Sequence, residues 1–171
     1  MPEIRLSAIN EVFVPVTRRT VWVFLEITDA DGASTVVEAT KGNLQGNAVV
    51  ELVRQLFPTL RNRPIENESK VCAVLGIDDD QPKNDFMLAT AISCLRSAVT
   101  QLNAIHNRVS LTEELGGVTT EKVPLYGNIN RALLGSRSPS AFGEMAERAA
   151  AMGFMTVKCA PFDEVNRQLS V

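Results

Sequence analysis

The chain contains 171 residues, of which 45% are hydrophobic and 22% charged, a balance typical of a folded globular protein. Its 17 Lys and Arg residues are outnumbered by 20 Asp and Glu residues, so the net charge of −3 offers no basic excess for binding nucleic acid. The longest strongly apolar run, from Val21 to Leu25, is far shorter than a membrane helix, and the first residues lack a signal-peptide pattern, so we expect a cytoplasmic protein without membrane contact.

Three strands are predicted at the start of the chain. The segment Thr20–Thr28 is dense in β-branched and aromatic residues, which suit a pleated surface. A turn over Asp29–Gly32 joins it to Ser34–Ala39, so these two segments should form a hairpin. A weaker alternation over Ile4–Ile9 adds a strand before the hairpin.

Two loops are predicted beside these strands. The segment Phe13–Thr20 contains Pro15 and the adjacent Arg18 and Arg19, and Thr40–Gly46 is rich in Gly and Asn. The two arginines could meet an acidic ligand or remain a solvated pair.

Helical periodicity dominates the middle of the chain. Apolar residues recur at three- and four-residue intervals after a capping candidate, Asn47, and Pro58 is predicted to stop this helix. A shorter helix is predicted over Asn67–Leu75. The longest helix should begin near Pro82–Asn84 and carries one apolar stripe over about five turns, which must pack against another element.

The last part of the chain predicts a parallel β-α-β unit. It follows a capping-box sequence, Ser110–Glu113, and a pair of glycines, Gly116 and Gly117. A buried strand is predicted over Val123–Ile129, a helix from Ser138 to Met152, and a second strand over Phe154–Cys159. Two parallel strands and one crossover helix cannot cover both faces of a sheet, so this unit reads as the beginning of a larger architecture.

Five short stretches, in this order and spacing, carry a family resemblance: Val37–Thr40, Thr90–Ala104, Leu115–Gly117, Val123–Tyr126 and Gly153–Lys158. Together they resemble the N-terminal part of the mandelate racemase and muconate lactonizing branch of the enolase superfamily. The resemblance implies an α+β capping domain, a strand meander with a helical bundle, over residues 1–121. Residues 122–171 would then form the first β-α-β of an incomplete (β/α) barrel.

The resemblance also implies a reaction, the Mg²⁺-dependent removal of the proton α to a carboxylate. The substrate would be an acid sugar or a hydroxy acid, in a dehydratase or racemase reaction. Because the family's metal ligands lie on later barrel strands, we expect this chain alone to bind no metal and to be inactive. In the family, two loops close over the barrel and select the substrate; here these are Phe13–Thr20 and Thr40–Gly46, with Arg18, Arg19 and Lys41 as substrate-binding candidates.

Two residues on the predicted barrel strands are carried over from the family. Lys158 matches the first lysine of a Lys-x-Lys motif, which lies near the substrate carboxylate, and it is the catalytic candidate. Ala160 stands where the second lysine, the base, would be expected, on the same face of the strand, so it can do no acid-base work and a dehydratase scheme that relies on later strands is favoured. Asn128, on the first barrel strand, is a substrate-binding candidate through its amide.

Simpler interpretations of these residues stay open. Lys158 could extend into solvent or pair with Asp163 or Glu164, and Asn128 could cap a turn. The two carboxylates are adjacent on the chain and would point to opposite sides of an extended segment, which argues against a shared metal.

Thiol and imidazole chemistry is limited in this sequence. Three cysteines without a close pair and a single histidine argue against a disulfide framework, a zinc site and a mechanism with two imidazoles. His106 is expected to act at the end of the long helix, where a cation suits the helix dipole. Cys159 is expected to point into the helix layer as a small apolar residue.

A function of another class fits the same pattern. The chain could be a non-enzymatic binding module that associates with itself, because a short parallel sheet leaves two unpaired edges that invite pairing. A homo-oligomer is expected in either case.

Overall fold

The computed structural model describes residues 3–17, 20–39, 46–118, 120–130, 133 and 135–161. The chain divides into two compact units, Met1–Val118 and Thr119–Val171. Within the described ranges, no helix has both the length and the apolar composition needed to cross a lipid bilayer.

The first unit contains a three-stranded antiparallel meander. Its strands, β1 (Leu6–Thr17), β2 (Thr20–Asp29) and β3 (Ser34–Glu38), lie in chain order, which confirms the predicted hairpin of β2 and β3. Alternate residues of β2, Val23, Leu25 and Ile27, are buried because one face of the sheet packs on the helices, as a half-covered antiparallel sheet requires.

The prediction of a loop over Phe13–Thr20 is wrong for most of this segment, since β1 continues to Thr17. Phe13 lies opposite Val23 and Val14 opposite Trp22, so apolar cross-strand pairs extend the ladder beyond the buried part of the sheet. Pro15 is tolerated because β1 lies at the edge of the sheet, where a missing N–H costs little.

Helices complete the first unit. In chain order they are α1 (Gly46–Leu60), a 3-10 turn (Glu68–Lys70) continuing into α2 (Val71–Leu75), α3 (Gln81–Asn84), α4 (Phe86–Asn107) and α5 (Leu111–Glu114). The predicted short helix ending at Gly76 is confirmed, with that glycine at φ 72°. Helices α1 and α4 pack against each other and against the sheet, so that the apolar stripe of α4 lines the core.

Two predicted helix boundaries differ in the structure. Helix α1 includes Asn47 and continues past Pro58 to Leu60, because Phe57 and Leu60 are both buried and hold the last turn against the core. The long helix does not run from Pro82; a break at Asp85 separates it from α3. The Asp85 carboxylate accepts the first N–H groups of α4 at 2.9 and 3.1 Å and so acts as its N-cap.

The predicted capping box at the start of α5 is confirmed. Ser110 Oγ accepts the Glu113 N–H at 3.2 Å, and the Glu113 carboxylate accepts the Ser110 N–H at 2.8 Å. This backbone N–H and the Ser110 hydroxyl stabilise the charged carboxylate and lower the pKa of Glu113.

Replacing Ser110 with Ala is expected to lower the free energy of unfolding of the first unit by about 1 kcal/mol, because the cap of α5 is lost. Urea denaturation followed by circular dichroism measures this loss. In the wild type, the contribution of Glu113 is present above the ordinary carboxyl pKa and is lost as the pH falls through the lowered pKa. Thr112→Ala, an exposed change in the same helix, should stay within about 0.5 kcal/mol of the wild type. An equal loss in both variants would contradict the capping role.

The second unit is the predicted β-α-β. Strands β4 (Gly127–Asn128) and β5 (Val157–Lys158) pair in parallel, with helix α6 (Pro139–Ala151) between them in sequence. Ser138 caps α6, its hydroxyl accepting the Ala141 N–H at 3.2 Å.

Both strands of the second unit are shorter than predicted. Val123 and Leu125 are 71% and 72% exposed, so the segment before β4 is not the buried strand that the sequence predicts. Backbone pairing is confined to the residues next to the small core formed by Ile129, Phe142 and Ala149.

Candidate functional site

The two site candidates of the second unit lie side by side. Asn128 on β4 is in register with Lys158 on β5, and residues paired in this way present their side chains to the same face of a sheet. The neighbouring pair, Gly127 and Val157, faces α6; a Cβ atom on Gly127 would lie 3.4 Å from the Cβ atom of Ala149. Asn128 and Lys158 therefore occupy the face of the pair that α6 does not cover.

Lys158 is an exposed cation at the carboxyl end of β5. Its Nζ atom lies 5.8 Å from the centroid of the Tyr126 ring, a cation-π contact on the same face. Within the described part of the chain, no carboxylate pairs with this ammonium group. The earlier alternatives, pairs with Asp163 or Glu164, lie outside the described residues. The group has the charge and the position to meet an anionic ligand.

One of the two polar atoms of the Asn128 amide makes hydrogen bonds to described residues. Its Oδ1 atom accepts the Asn130 backbone N–H at 3.2 Å and the Asn130 side-chain N–H at 3.1 Å, which is the turn-capping arrangement considered above. Its Nδ2 atom has no partner among the described residues, so it retains two N–H groups that a ligand oxygen could accept.

Asn130 and Arg137 lie beside Lys158, although the sequence pattern predicts neither of them as a site residue. Asn130 Oδ1 accepts the Ala160 N–H at 2.5 Å, and its Nδ2 atom donates to the Lys158 carbonyl at 3.4 Å. Arg137 donates to the carbonyls of Asn130 and Ala160 at 3.2 and 2.9 Å and lies over the Phe142 ring. The signals available in the sequence were the two-residue spacing of Asn128 and Asn130 and the position of Arg137 directly before the cap of α6.

The site offers no proton acceptor where the family resemblance would place one. Ala160, two residues after Lys158, contributes only a methyl group, and its backbone N–H and carbonyl are both engaged.

The described residues do not fit a Mg²⁺ site. No group of three or more His, Cys, Asp or Glu side chains in them is placed to hold a metal ion. The face around Lys158 carries amides and an ammonium group, and the positive charge repels a divalent cation that requires several oxygen ligands.

The substrate-binding candidates of the first unit, Arg18, Arg19 and Lys41, lie outside the described residues. Strands β1 and β2, which flank these two arginines in the sequence, expose apolar side chains; among them, Phe13 is 47% and Trp22 46% exposed.

Thiol chemistry receives no support from the structure. Burial raises the pKa of the Cys94 thiol to about 11 and, together with Asp79, raises that of Cys72, so both are held as thiols. Cys159 is exposed, contrary to expectation, because β5 ends at Lys158 and the strand alternation does not reach it.

The single histidine has a structural partner. His106 Nε2 lies 2.5 Å from Oδ2 of Asp29, whose side chain is 2% exposed. The other carboxylate oxygen accepts the N–H groups of Asp31 and Ala33 at 3.0 and 2.9 Å. His106 therefore ties the end of α4 to the β2–β3 turn.

Comparisons with known proteins agree with this architecture. No family model matches the chain, and no curated protein matches it. A mandelate racemase/muconate lactonizing enzyme from Sulfitobacter sp superposes with a TM-score of 0.70 at 16% identity, over 92% of this chain and 42% of that one. A muconate cycloisomerase from Azorhizobium caulinodans gives 0.67 at 21% identity, over 98% and 45%. A mandelate racemase/muconate lactonizing protein from Paracoccus denitrificans PD1222, complexed with magnesium, gives 0.66 at 18% identity, over 90% and 41%.

These similarities show the fold. They confirm the predicted fold, a capping domain followed by the first β-α-β of a barrel. The chain spans less than half the length of each of these structures, 42% and 45% for the first two.

Proposed function

We propose that the chain is the N-terminal part of an enzyme of the mandelate racemase/muconate lactonizing type, which removes the proton α to a carboxylate. One observation carries this proposal: Lys158, whose side chain is exposed, lies in register with Asn128 at the carboxyl end of the parallel pair. Barrels of alternating strands and helices bind their substrates at this end. The fold neighbours support the reaction class, since they include a muconate cycloisomerase.

Lys158 would bind the substrate carboxylate. Negative charge accumulates on the carboxyl oxygens as the α proton leaves, so the attraction to a fixed cation is stronger in the transition state than in the ground state. The free N–H groups of Asn128 would donate to the same carboxylate without adding charge. Because Ala160 cannot remove the proton, the base must be elsewhere in the complete enzyme, which favours dehydration of an acid sugar or hydroxy acid over racemisation by this strand.

Other parts of the proposal concern the complete enzyme. Mg²⁺ would neutralise charge on the substrate's carboxyl oxygens, with ligands other than the described residues of this chain. Arg18, Arg19 and Lys41 would contact the substrate from the two loops of the capping domain. We place the enzyme in the cytoplasm.

The test compares two proteins: the chain as it is, and the chain extended by whatever its gene encodes after Val171. Each is incubated with Mg²⁺ and a panel of acid sugars and hydroxy acids in deuterium oxide, and exchange of the α proton is followed by NMR. We expect no exchange with the 171-residue chain and exchange with the extended one. Turnover by the shorter chain, a stop codon directly after Val171, or no exchange by the extended chain would contradict the proposal.

We propose a non-enzymatic, self-associating module as the second candidate. Exposed apolar side chains near the parallel pair favour it: Leu125 is 72%, Tyr126 53% and Met155 95% exposed. Light scattering of the purified chain should then show a dimer or larger species that Leu125→Lys disrupts. A monomer at all concentrations would contradict this candidate.

A further inference from the structure

Side chains continue the pairing of β4 and β5 where the backbone ladder ends. The last ladder bond joins the Ile129 N–H to the Lys158 carbonyl at 3.2 Å. Beyond it, Asn130 Oδ1 accepts the Ala160 N–H at 2.5 Å, in the place of a backbone carbonyl. The Nδ2 atom of the same amide donates to the Lys158 carbonyl at 3.4 Å. One amide therefore contacts the backbone on both sides of residue 159.

Arg137 closes the same end of the sheet from the loop before α6. Its two terminal nitrogens donate to the Asn130 carbonyl at 3.2 Å and to the Ala160 carbonyl at 2.9 Å. These carbonyls belong to the residues that follow the two strands, so one planar group spans both strand ends. The guanidinium carbon lies 5.3 Å from the centroid of the Phe142 ring, which supports the group from the small core.

We propose that Asn130 and Arg137 are positioning residues for Lys158. They hold three backbone atoms next to it, the Lys158 carbonyl oxygen and the nitrogen and oxygen of Ala160. A lysine side chain has a flexible four-carbon stem, so the placement of its backbone decides which positions the ammonium group can reach. The network keeps Lys158 in register with Asn128 and over the Tyr126 ring. As a role in substrate binding, the inference rests on the function proposed above.

The chemistry of the two residues explains why substitutes would fail. Arg137 presents a rigid fork of donors that reaches two acceptors, whereas Lys offers a compact charge that serves one direction well. Asn130 acts as acceptor and donor at once, which Asp and Ala do not.

The experiment uses the full chain with ¹³C-labelled lysine. We expect the nearby Tyr126 ring to shift the NMR signals of the Lys158 ε-methylene group, and Tyr126→Leu identifies that shift by removing it. We expect Arg137→Lys and Asn130→Ala to move these signals toward their positions in Tyr126→Leu. Exchange of the Ala160 amide hydrogen should become about tenfold faster, as expected for the loss of one hydrogen bond. Asn130→Asp keeps an acceptor for that N–H and should retain more protection.

Arg148→Lys is the matched control. Arg148 is an exposed arginine on α6 whose side chain contacts Met145, so its replacement should leave both readouts unchanged. Methyl signals of Ala149 report whether the small core is intact in each variant. If Arg137→Lys and Asn130→Ala keep that core and leave both the Lys158 signals and the Ala160 exchange rate unchanged, the inference is overturned.

A separate titration distinguishes this inference from the proposed function. Lactate, a simple hydroxy acid, is added to the unmodified chain while the Lys158 signals are recorded. If lactate leaves these signals unchanged and the variants still move them, the positioning role stands and carboxylate binding by this chain does not. If lactate moves them and the variants do not, the proposed site stands and the positioning role is lost.

Discussion

Replacing Asp29 with Ala is expected to lower the free energy of unfolding of the first unit by about 3 kcal/mol. The carboxylate is 2% exposed, pairs with His106 at 2.5 Å and accepts two backbone N–H groups of the β2–β3 turn. Its removal leaves the imidazole and both N–H groups without their acceptor, in a place where water reaches poorly. Chemical denaturation followed by circular dichroism measures the change in the transition of this unit.

Two comparisons identify the cause of that loss. Asp31→Ala changes an exposed carboxylate in the same turn and should cost no more than about 0.5 kcal/mol. A double-mutant cycle of Asp29→Asn with His106→Ala should give a coupling energy of about 1 kcal/mol or more, since the two side chains are in direct contact. Equal losses in the free energy of unfolding for Asp29→Ala and Asp31→Ala would show that the buried Asp29–His106 pair stabilises the unit no more than an exposed carboxylate does.

Replacing Lys158 with Met, in the enzyme extended past Val171, is expected to lower kcat/KM for a carboxylate substrate about 100-fold. Methionine keeps an unbranched apolar stem of similar length beside Tyr126, so the change removes the charge while most of the packing remains. Lys158→Arg keeps the charge and should recover part of the activity. Steady-state kinetics with a hydroxy acid or acid sugar that the enzyme turns over provides the measurement.

Cys159→Ser is the control for Lys158→Met. The thiol is exposed and adjacent on the chain, yet it lies outside the paired register of Asn128 and Lys158. We expect its replacement to change kcat/KM less than about twofold, within the range of an ordinary surface substitution. Similar losses of kcat/KM in the two variants would show that Lys158 does not contact the substrate.

Much of the fold follows from local signals in the sequence. The β-branched run of β2 and the capping box of α5 are short-range features, and each forms as predicted. The errors arise where distant contacts override a local signal. Pro15 predicts a loop, but pairing with β2 extends β1 through it. Pro58 predicts a helix end, but burial of Phe57 and Leu60 holds the last turn of α1.

In the candidate site, too, some features follow from local sequence signals and others depend on contacts between distant residues. The placement of Asn128 and Lys158 on two neighbouring parallel strands follows from the β-α-β pattern of the sequence, whereas their register is seen only in the structure. The roles of Asn130 and Arg137 do not follow from that pattern, because they depend on hydrogen bonds to the backbone of Ala160, which is 30 and 23 residues away. A polar residue in a loop looks the same in sequence whether it faces solvent or completes a sheet.

The unequal cores of the two units imply an order of melting. The cluster of the first unit draws apolar side chains from all three antiparallel strands and from α1 and α4. The described core of the second unit has three buried members, Ile129, Phe142 and Ala149. Since cooperative stability grows with apolar area removed from water, thermal fluctuations should open the second unit first and expose it to proteases. The lifetime of the second unit in a cell would then depend on what pairs with the edges of its two-stranded sheet. These edges could be covered by further strands of a barrel or by another copy of the chain.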